Sequence, residues 1–369
     1  MNILVLCLSS GLGGLELYAY RSARGLSKNH HVKAIARDKL LKYFRDNSDI
    51  DTTEEKCTFK ALPVFTALRV AKYIDSNDID IIYAHWVKDI PLAVLSKLFS
   101  RKRPRLVFMR QMKITRGKSD IYHRFLYRNI DLMLTITNQL SGDCMKYIGT
   151  NVTGGIETLY LGVAEPESFL SAEDKDKNRK EFGLDTNDFV VGLFGRLEKN
   201  KGQHLLINAI ALAKENGIAI KALIVGHEME QGYRNQLVDL AESLDISDQV
   251  IFSDFLNNPQ AIMQLCDCVA LTTTEETFGL VLPEAMRAGI AVIGSNRGGV
   301  LEIIDHEKTG LLFESEDPDS LCEQIITLYK DPDLRKTLSE KGKIKADSDF
   351  NEIKHISILE QYLTSTLQQ

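Results

Sequence analysis

Two glutamates, Glu276 and Glu284, have seven residues between them and are the side chains whose type and spacing best suit chemistry. They belong to the segment TTTEETFGLVLPEAMRAG, which follows an apolar run and carries Pro283 where a helix would begin. The glycine of Phe278-Gly279 allows backbone to approach a ligand closely, and amide groups at a helix start suit a phosphate. The segment therefore indicates a site for a ligand with phosphate and sugar groups, although each acid alone is typical of an ordinary loop or helix start.

A second segment, GLFGRLEKNKG, follows another apolar run and supplies two cations, Arg196 and Lys201. A diphosphate needs such a pair, since arginine binds an oxyanion bidentately and lysine acts as a point charge. Gly195 and Gly202 permit tight turns beside the cations. An ordinary basic loop between a strand and a helix has the same composition, so the residues alone leave both interpretations open.

Two glycine pairs also follow apolar runs. Gly13-Gly14 offers amide donors for an anion or a sugar hydroxyl. A dinucleotide fingerprint would need a third glycine where Glu16 stands, so NAD-dependent redox chemistry is the least favoured class. Gly298-Gly299 either approaches a ligand or forms a tight turn before a helix.

The apolar runs predict the strands that position these segments. They are unalternating and rich in β-branched residues and leucine, as in strands buried on both faces of a parallel sheet. They occupy residues 3–8, 32–35, 79–83, 106–109 and 132–136, then 190–194, 222–225, 250–252, 269–271, 291–293 and 310–313. Helical periodicity separates them, so the sequence predicts the α/β class with two tandem Rossmann-like, doubly wound parallel-sheet domains.

We expect these domains to cover residues 1–164 and 165–349, divided near a charged stretch poor in apolar residues. The last segment, 350–369, has an apolar helical face and is predicted to pack back on the first domain. Open parallel sheets bind ligands beyond the carboxyl ends of their strands, so the site is expected in a cleft across which the domains face each other.

The composition excludes several classes of protein. Hydrophobic residues at 44% and charged residues at 26% argue against disorder, collagen-like repeats and coiled coils. No apolar run approaches the ~18 residues of a membrane-spanning helix, and the first run lacks the basic leader of a signal peptide. Six scattered cysteines predict reduced thiols and a cytoplasmic protein. The net charge of −6 gives no general reason to expect nucleic acid.

Taken together, the motifs resemble those of the retaining glycosyltransferases of family 4, whose two-Rossmann-domain architecture is called GT-B. The resemblance rests on the acids Glu276 and Glu284, the loop residues Gly195, Arg196, Leu197, Lys201 and Gly202, the amino-terminal Gly13, Gly14 and Glu16, and the later Gly298, Gly299 and Glu302. It covers most of the chain and is most specific in 190–313. Leu161 departs from it, since the family usually has asparagine at this crossover position.

The resemblance implies roles in binding a nucleotide-diphosphate sugar. Glu276 would contact the donor sugar near the reacting carbon, and Arg196 and Lys201 would neutralise the departing diphosphate. Glu284 would bind the ribose, and Asp254-Phe255 would hold the base. The implied donor-binding set, several members acting through backbone, is Gly13, Gly14, Gly195, Asp254, Phe255, Phe278, Gly279, Leu280, Val281 and Glu284. The family needs no metal, so no cofactor is expected beyond the sugar nucleotide.

The first domain is expected to bind the acceptor, and here the sequence departs from the family's pattern. Many relatives carry a histidine shortly after the fourth predicted strand, where this chain has Arg110 and Gln111. His85, at the end of the preceding apolar run, is the favoured site histidine, and His123 is the weaker candidate. A single histidine at a strand end is nevertheless more often structural. The predicted acceptor-binding residues are Glu16, Arg110, Lys113, Arg116 and Lys118.

The same region is strongly basic. From Lys97 to Arg128 the chain has eleven lysines and arginines and one acid, Asp120, a charge of +10 within a protein of net charge −6. Some of these cations can belong to a solvated helix surface. Their excess predicts an anionic acceptor or an anionic membrane face, where each cation contributes about 1 kcal/mol. Nucleic acid is disfavoured because the sequence has no aromatic platform or recognised binding motif.

The sequence therefore predicts a hexosyltransferase that moves a sugar from a UDP- or GDP-linked donor to a lipid-linked or phosphorylated glycan, in cell-surface polysaccharide or lipopolysaccharide biosynthesis. Its predicted place is the cytoplasm, as a peripheral protein on the inner face of the membrane. Two alternatives stay open: a GT-B-type sugar-nucleotide epimerase, which needs no acceptor, and a nucleotide-sugar-binding protein without catalytic activity.

Overall fold

The computed structural model describes residues 1–57, 60–254 and 258–369, with residue 150 described by its backbone alone. The chain divides into two compact units: the first comprises Met1–Tyr160 and Ile353–Gln369, and the second comprises Leu161–Glu352. Each unit contains one parallel β-sheet, which confirms the predicted α/β class with two doubly wound domains.

The first sheet has seven strands in the order β3-β2-β1-β4-β5-β6-β7. The strands are β1 (Asn2–Cys7), β2 (His31–Ala36), β3 (Asp51–Glu54), β4 (Ile81–Ala84), β5 (Arg105–Arg110), β6 (Leu132–Thr135) and β7 (Ile156–Thr158). The helices are α1 (Gly14–Leu26), α2 (Asp38–Asn47), α3 (Val64–Ser76), α4 (Ile90–Phe99), α5 (Ile121–Arg128), α6 (Asn138–Ile148) and α15 (Glu352–Gln368), with 3-10 turns at Val87–Asp89 and Gly149–Asn151. The sequence does not predict β3 and β7, because edge strands are not buried on both faces and these two lack an apolar run.

The second sheet has six strands in the order β10-β9-β8-β11-β12-β13. The strands are β8 (Val190–Phe194), β9 (Lys221–Val225), β10 (Val250–Ser253), β11 (Cys268–Leu271), β12 (Ala291–Ser295) and β13 (Leu311–Phe313), and all six were predicted. The helices are α7 (Ala172–Glu181), α8 (Gln203–Glu215), α9 (Tyr233–Ser243), α10 (Pro259–Met263), α11 (Val281–Arg287), α12 (Val300–Ile303), α13 (Pro318–Lys330) and α14 (Pro332–Asp349), with 3-10 turns at Lys199–Lys201 and Ser247–Gln249. In the described ranges no helix is both long and apolar enough to cross a membrane.

The order of winding reverses between β1 and β4 in the first sheet and between β8 and β11 in the second. These four strands are almost wholly buried, as their unalternating apolar sequences predict. At such a switch point the loops that leave neighbouring strands turn to opposite faces of the sheet and open a crevice, where α/β proteins bind ligands.

Helix α15 docks on the first unit through buried hydrogen bonds. The carbonyl of Tyr160 can only accept, so His355 Nδ1 donates to it (2.6 Å) and His355 Nε2 accepts from Tyr18 Oη (3.0 Å). Tyr18 Oη in turn lies 2.9 Å from Tyr83 Oη on β4. This arrangement needs a neutral His355, and burial lowers the pKa of that ring to about 4.

We expect the free energy of unfolding to decrease as the pH falls from about 5.5 to about 4.5. Burial lowers the pKa of His355 to about 4 and that of His85 to about 3, from the ordinary 6.5, so both rings take up protons on unfolding. Asp89 acts in the opposite sense, because burial raises the pKa of its carboxyl from 3.8 to about 7 and the folded chain keeps that proton. Taken together, these three groups bind about one more proton in the unfolded chain, so they change the free energy of unfolding, measured with urea, by about 1.4 kcal/mol per pH unit.

Asp89→Asn removes the opposing group, and the slope should then approach two protons, about 2.7 kcal/mol per pH unit. A stability that does not depend on pH in this range would contradict the neutral state of the two buried histidines. A slope that Asp89→Asn leaves unchanged would contradict the protonated state of Asp89 in the folded chain.

Candidate active site

The loops that follow β8 and β11 lie side by side at the carboxyl edge of the second sheet. The two strands are parallel neighbours, with Val191 opposite Cys268. Between their loops, Lys201 Nζ lies 2.9 Å from Glu276 Oε2, and the side chains are 23% and 21% exposed. The structure thus brings together two residues that the sequence predicts to be catalytic, and it leaves both accessible to a ligand.

Close packing of backbone holds these two loops together. Thr272 Oγ1 donates to the carbonyl of Lys201 over 2.8 Å. Gly202 has a φ of 72°, and a Cβ there would lie 2.4 Å from the carbonyl oxygen of Thr272. A side chain at this position would therefore separate Lys201 from Glu276.

Arg196 lies in the same loop as Lys201 and has a half-exposed side chain. Its Nη2 is 2.9 Å from Glu198 Oε1. Gln203 Nε2 donates to the carbonyl of Arg196 over 2.8 Å, which fixes the backbone that follows Gly195. The guanidinium reaches solvent, so an anionic ligand can share it with Glu198.

The Gly298-Gly299 pair packs against the loop that carries Glu276. The amide of Gly299 donates to the carbonyl of Glu276 over 3.0 Å. Gly298 has a φ of 62°, and a Cβ on it would lie 2.3 Å from the same carbonyl oxygen; a Cβ on Gly299 would lie 2.3 Å from that of Thr277. The close approach that the sequence indicates is therefore made by protein backbone, and the glycine pair positions Glu276.

Helix α11 begins at Val281, so Pro283 and Glu284 lie near its start, as the sequence indicates. Leu280 is its N-cap residue and Gly279, with a φ of 94°, leads into it. The Phe278 ring is buried in an edge-to-face contact with Phe350, with 5.7 Å between ring centroids. Phe278 as a whole is 2% exposed, so its ring belongs to the core of the second unit.

Asp254, the residue predicted to lie near the base, follows β10 at the edge of the second sheet. Its side chain is 83% exposed, and its Oδ1 lies 3.0 Å from Arg234 Nη1. Its predicted partner Phe255 lies outside the described residues.

In the first unit, the Gly13-Gly14 pair precedes α1 and is held by Glu16. Glu16 Oε2 accepts from the amide of Gly13 over 2.8 Å, and the glutamate side chain is buried. Glu16, predicted to bind the acceptor, thus has one carboxylate oxygen engaged in capping its own helix.

His85 is fully buried and lies in the core. Its ring packs edge-on against Tyr83 and Tyr18, with centroids 4.3 Å and 5.6 Å away. Neither ring nitrogen has a hydrogen-bond partner in the described part of the chain. Since burial lowers its pKa to about 3, the ring is neutral near pH 7 and is not placed to exchange protons with a ligand.

Arg110 ends β5 with a buried guanidinium that is poorly satisfied. Nη2 donates to the carbonyl of Lys113 over 3.1 Å, whereas Nε and Nη1 have no partner among the described residues. Burial lowers the pKa of Lys118, and Arg116 and Arg110 lie close enough to lower it further. The structure therefore gathers Arg110, Arg116 and Lys118, which the sequence predicts to bind the acceptor, into one cationic group.

His123, the weaker candidate histidine, borders this group. Its Nδ1 lies 2.5 Å from Asp120 Oδ2, and its Nε2 lies 3.4 Å from Lys118 Nζ. Asp120 is also the N-cap of α5, so the one acid of the basic stretch is engaged locally.

The cations of the stretch from Lys97 to Arg128, which give the charge of +10, do not form one continuous basic surface. At the amino end of β5, Lys97 and Arg105 both pair with Asp131, and Lys102 pairs with Asp78. These acids lie outside the counted stretch but close to it in space. Of the cations that follow β5, Arg110, Arg116 and Lys118 form no ion pair with a carboxylate among the described residues, so the hypothesis of an anionic partner applies to this carboxyl edge.

Sequence reasoning missed Asp89, a buried acid at the carboxyl edge of the first sheet. Its Oδ2 accepts from the amide of Leu8 over 2.7 Å, which ties the chain after β4 to the end of β1 at the switch point. Its signal is its position: a polar residue shortly after a predicted strand, four places beyond His85.

Two family models match the chain. One, described as "Glycosyl transferases group 1", matches residues 174–345, and the other, "Glycosyl transferase 4-like", matches residues 5–138. N-acetyl-alpha-D-glucosaminyl L-malate synthase of Bacillus anthracis is 27% identical over 96% of this chain and 92% of its own length.

A Campylobacter jejuni relative is 31% identical over 45% of this chain and 44% of its own length. It is N-acetylgalactosamine-N,N'-diacetylbacillosaminyl-diphospho-undecaprenol 4-alpha-N-acetylgalactosaminyltransferase. The crystal structure of Anabaena Alr3699/HepE with UDP and glucose covers 99% of this chain and 100% of that one, with a TM-score of 0.82 and 25% identity. With both units matched by family models, the chain belongs to the group 1, family 4-like glycosyltransferases, which have the GT-B fold.

Proposed function

We propose that this chain is a retaining hexosyltransferase that uses a UDP- or GDP-linked sugar and glycosylates a lipid-linked or phosphorylated glycan in cell-surface polysaccharide or lipopolysaccharide biosynthesis. The observation that carries the proposal is the accessible Lys201–Glu276 pair at the switch point, with Arg196 in the same loop. The HepE structure, which holds UDP and glucose, supports a sugar-nucleotide donor.

The charges at this edge suit the departure of a nucleoside diphosphate. When the bond between the anomeric carbon and the β-phosphate oxygen breaks, its electron pair stays on the phosphate. Arg196 and Lys201 stabilise that charge because they are already in place, and Glu276 stabilises the positive charge that develops on the sugar. The acceptor oxygen bonds to the anomeric carbon on the face that the phosphate leaves and passes its proton to the phosphate, so the configuration is retained.

The names of the two relatives support this stereochemistry. Both contain an alpha linkage, as retention at an α-linked sugar nucleotide would produce. The same names contain L-malate and a diphospho-undecaprenol, and both of these are anions. They favour an acceptor with a negatively charged group.

Arg110 is the residue that we assign to that group. Arg179, in the second unit, is equally buried, but its guanidinium donates to the carbonyls of Leu265 and Thr186 and to the carboxylate of Asp267. Unpaired buried charge costs several kcal/mol, so buried arginines are normally saturated in this way. Nε and Nη1 of Arg110 are buried donors without a hydrogen-bond partner in the described ranges, and we assign them to the acceptor anion.

We expect Lys201→Ala to slow transfer about ten- to hundredfold (~1.5–3 kcal/mol), since one charge-assisted contact with the leaving diphosphate is lost. A thermal-shift panel of UDP and GDP sugars first identifies the donor, because ligand at about 100 times its Kd adds ~2.7 kcal/mol. Release of nucleoside diphosphate then gives the rate. Lys214→Ala, which removes a lysine paired with Asp245 at the far end of α8, is the matched control and should leave the rate unchanged.

An unaltered rate in Lys201→Ala would refute the donor site. Formation of an isomerised sugar nucleotide without acceptor would favour the epimerase.

We expect Gly298→Ala to lower both stability and transfer, because the new Cβ would collide with the backbone of Glu276. Gly217→Ala is the matched control, because Gly217 has a similar φ (73° against 62°) but a Cβ there would meet no atom within 4 Å. It therefore measures only the free energy needed to hold alanine at a positive φ. That cost is about 1–2 kcal/mol, and the collision adds ~1–3 kcal/mol in Gly298→Ala. Equal losses in urea unfolding, with equal transfer rates, would contradict the positioning role of the glycine pair.

We expect Arg110→Met to leave stability unchanged or to raise it by about 1–4 kcal/mol, since it removes a buried charge while keeping side-chain volume. The same variant should raise the KM for the acceptor and leave the KM for the donor unchanged. Destabilisation without an effect on the acceptor KM would show that Arg110 is structural.

A further inference from the structure

Large apolar side chains are exposed together on one part of the first unit. Phe65 and Leu62, at the start of α3, are 82% and 64% exposed, and Ile121, the first residue of α5, is 87% exposed. Tyr122 and Phe125 of α5 are 40% and 46% exposed. Single exposed apolar residues are common, but a cluster that includes two almost fully exposed side chains marks an interaction surface.

These five residues belong to one surface, which we call the α3–α5 face. Tyr122 Oη donates to the carbonyl of Ala61 over 2.6 Å, so the start of α5 is joined to the residue before Leu62. Helix α4 packs against both α3 and α5, which places the three helices on one side of the sheet.

Cations are interleaved with the apolar residues of this face. On α5 the positions of Ile121, Arg124, Phe125 and Arg128 follow the i, i+3, i+4, i+7 spacing of one helical face. Arg124 and Arg128 are exposed, and neither pairs with a carboxylate in the part of the chain that the structure describes. By contrast, three cations at the opposite edge of the sheet, Lys97, Lys102 and Arg105, form ion pairs with acids.

We infer that the α3–α5 face docks onto an anionic lipid bilayer. Aromatic and aliphatic side chains enter the headgroup region, while arginines beside them contact acidic headgroups. Charge complementarity favours this occupant over a second copy of the chain, because two equally cationic faces repel each other. The biological role of this docking rests on the proposed function. Helix α5 follows the loop that begins after Arg110, so docking would hold the carboxyl edge of the first sheet near a lipid-linked acceptor.

Vesicle flotation without any substrate tests the inference. We expect binding to vesicles of phosphatidylglycerol and phosphatidylcholine, weak binding to phosphatidylcholine alone, and release as salt shortens the range of charge interactions. Arg124→Glu with Arg128→Glu should lower the partition coefficient about tenfold or more. Arg101→Glu with Arg103→Glu, two exposed arginines before β5, is the matched control and should bind as the unsubstituted protein does.

The apolar part is tested by Phe65→Ser with Ile121→Ser, which should abolish binding without loss of thermal stability because both side chains are exposed. Ile344→Ser, at a side chain 70% exposed on α14, is the control. Equal losses in test and control variants, or no binding to anionic vesicles, would overturn the inference. So would light scattering that shows a dimer which Phe65→Ser with Ile121→Ser dissociates.

Failure of the proposed function would look different. Turnover of the sugar nucleotide with a water-soluble acceptor should be the same in the α3–α5 face variants and the unsubstituted protein, because none of these residues belongs to the donor or acceptor site. Vesicle binding without any transfer activity would overturn the proposed function and leave the docking surface intact.

Discussion

The adjacency of β8 and β11 is the constraint on which the candidate site depends. Two strands that are far apart in the chain pair in parallel, so their loops emerge at one edge and place Lys201 against Glu276. The loops fit together because glycines stand where a Cβ would strike backbone: Gly202 against Thr272, and Gly298 against Glu276. The chemistry of the site is therefore supported by steric fit between main chains, and a residue that never touches a ligand can be as necessary as one that does.

Charge is handled in two ways in this protein. Arg179 and the group around Asp131 are saturated with partners, as buried or crowded charges in a stable core must be. Arg110 and Arg116 lie close enough to Lys118, at the carboxyl edge of the first sheet, to affect its protonation. Such an arrangement costs stability in the free protein, which is the expense that binding sites for anions characteristically carry.

Much of the fold follows from local sequence pattern. Strands such as β8 and β11 are predictable because burial on both faces demands continuous apolar residues. The edge strand β3 has the sequence DTTE and carries no such signal, since its outer side faces solvent. In the site, Lys201 and Glu276 are predictable from the residue types that follow strands. Asp89 was missed because an acid after a strand is common and its burial depends on contacts with residues distant in the chain, such as Leu8.

By itself, the sequence determined the fold class, the family and the loops that carry the candidate donor site, because hydrophobic periodicity and short motifs are local properties of the chain. Tertiary structure decided which charges are compensated and what each glycine meets. Asp78 and Asp131 neutralise cations counted as free along the chain, and Gly298 packs against the backbone of Glu276 in a neighbouring loop. It also decided that His85 is a core residue, since burial is set by Tyr18 of α1 as much as by the strand that His85 follows. Contacts between residues that are distant in sequence and close in space cannot be predicted from hydrophobic periodicity or from short motifs.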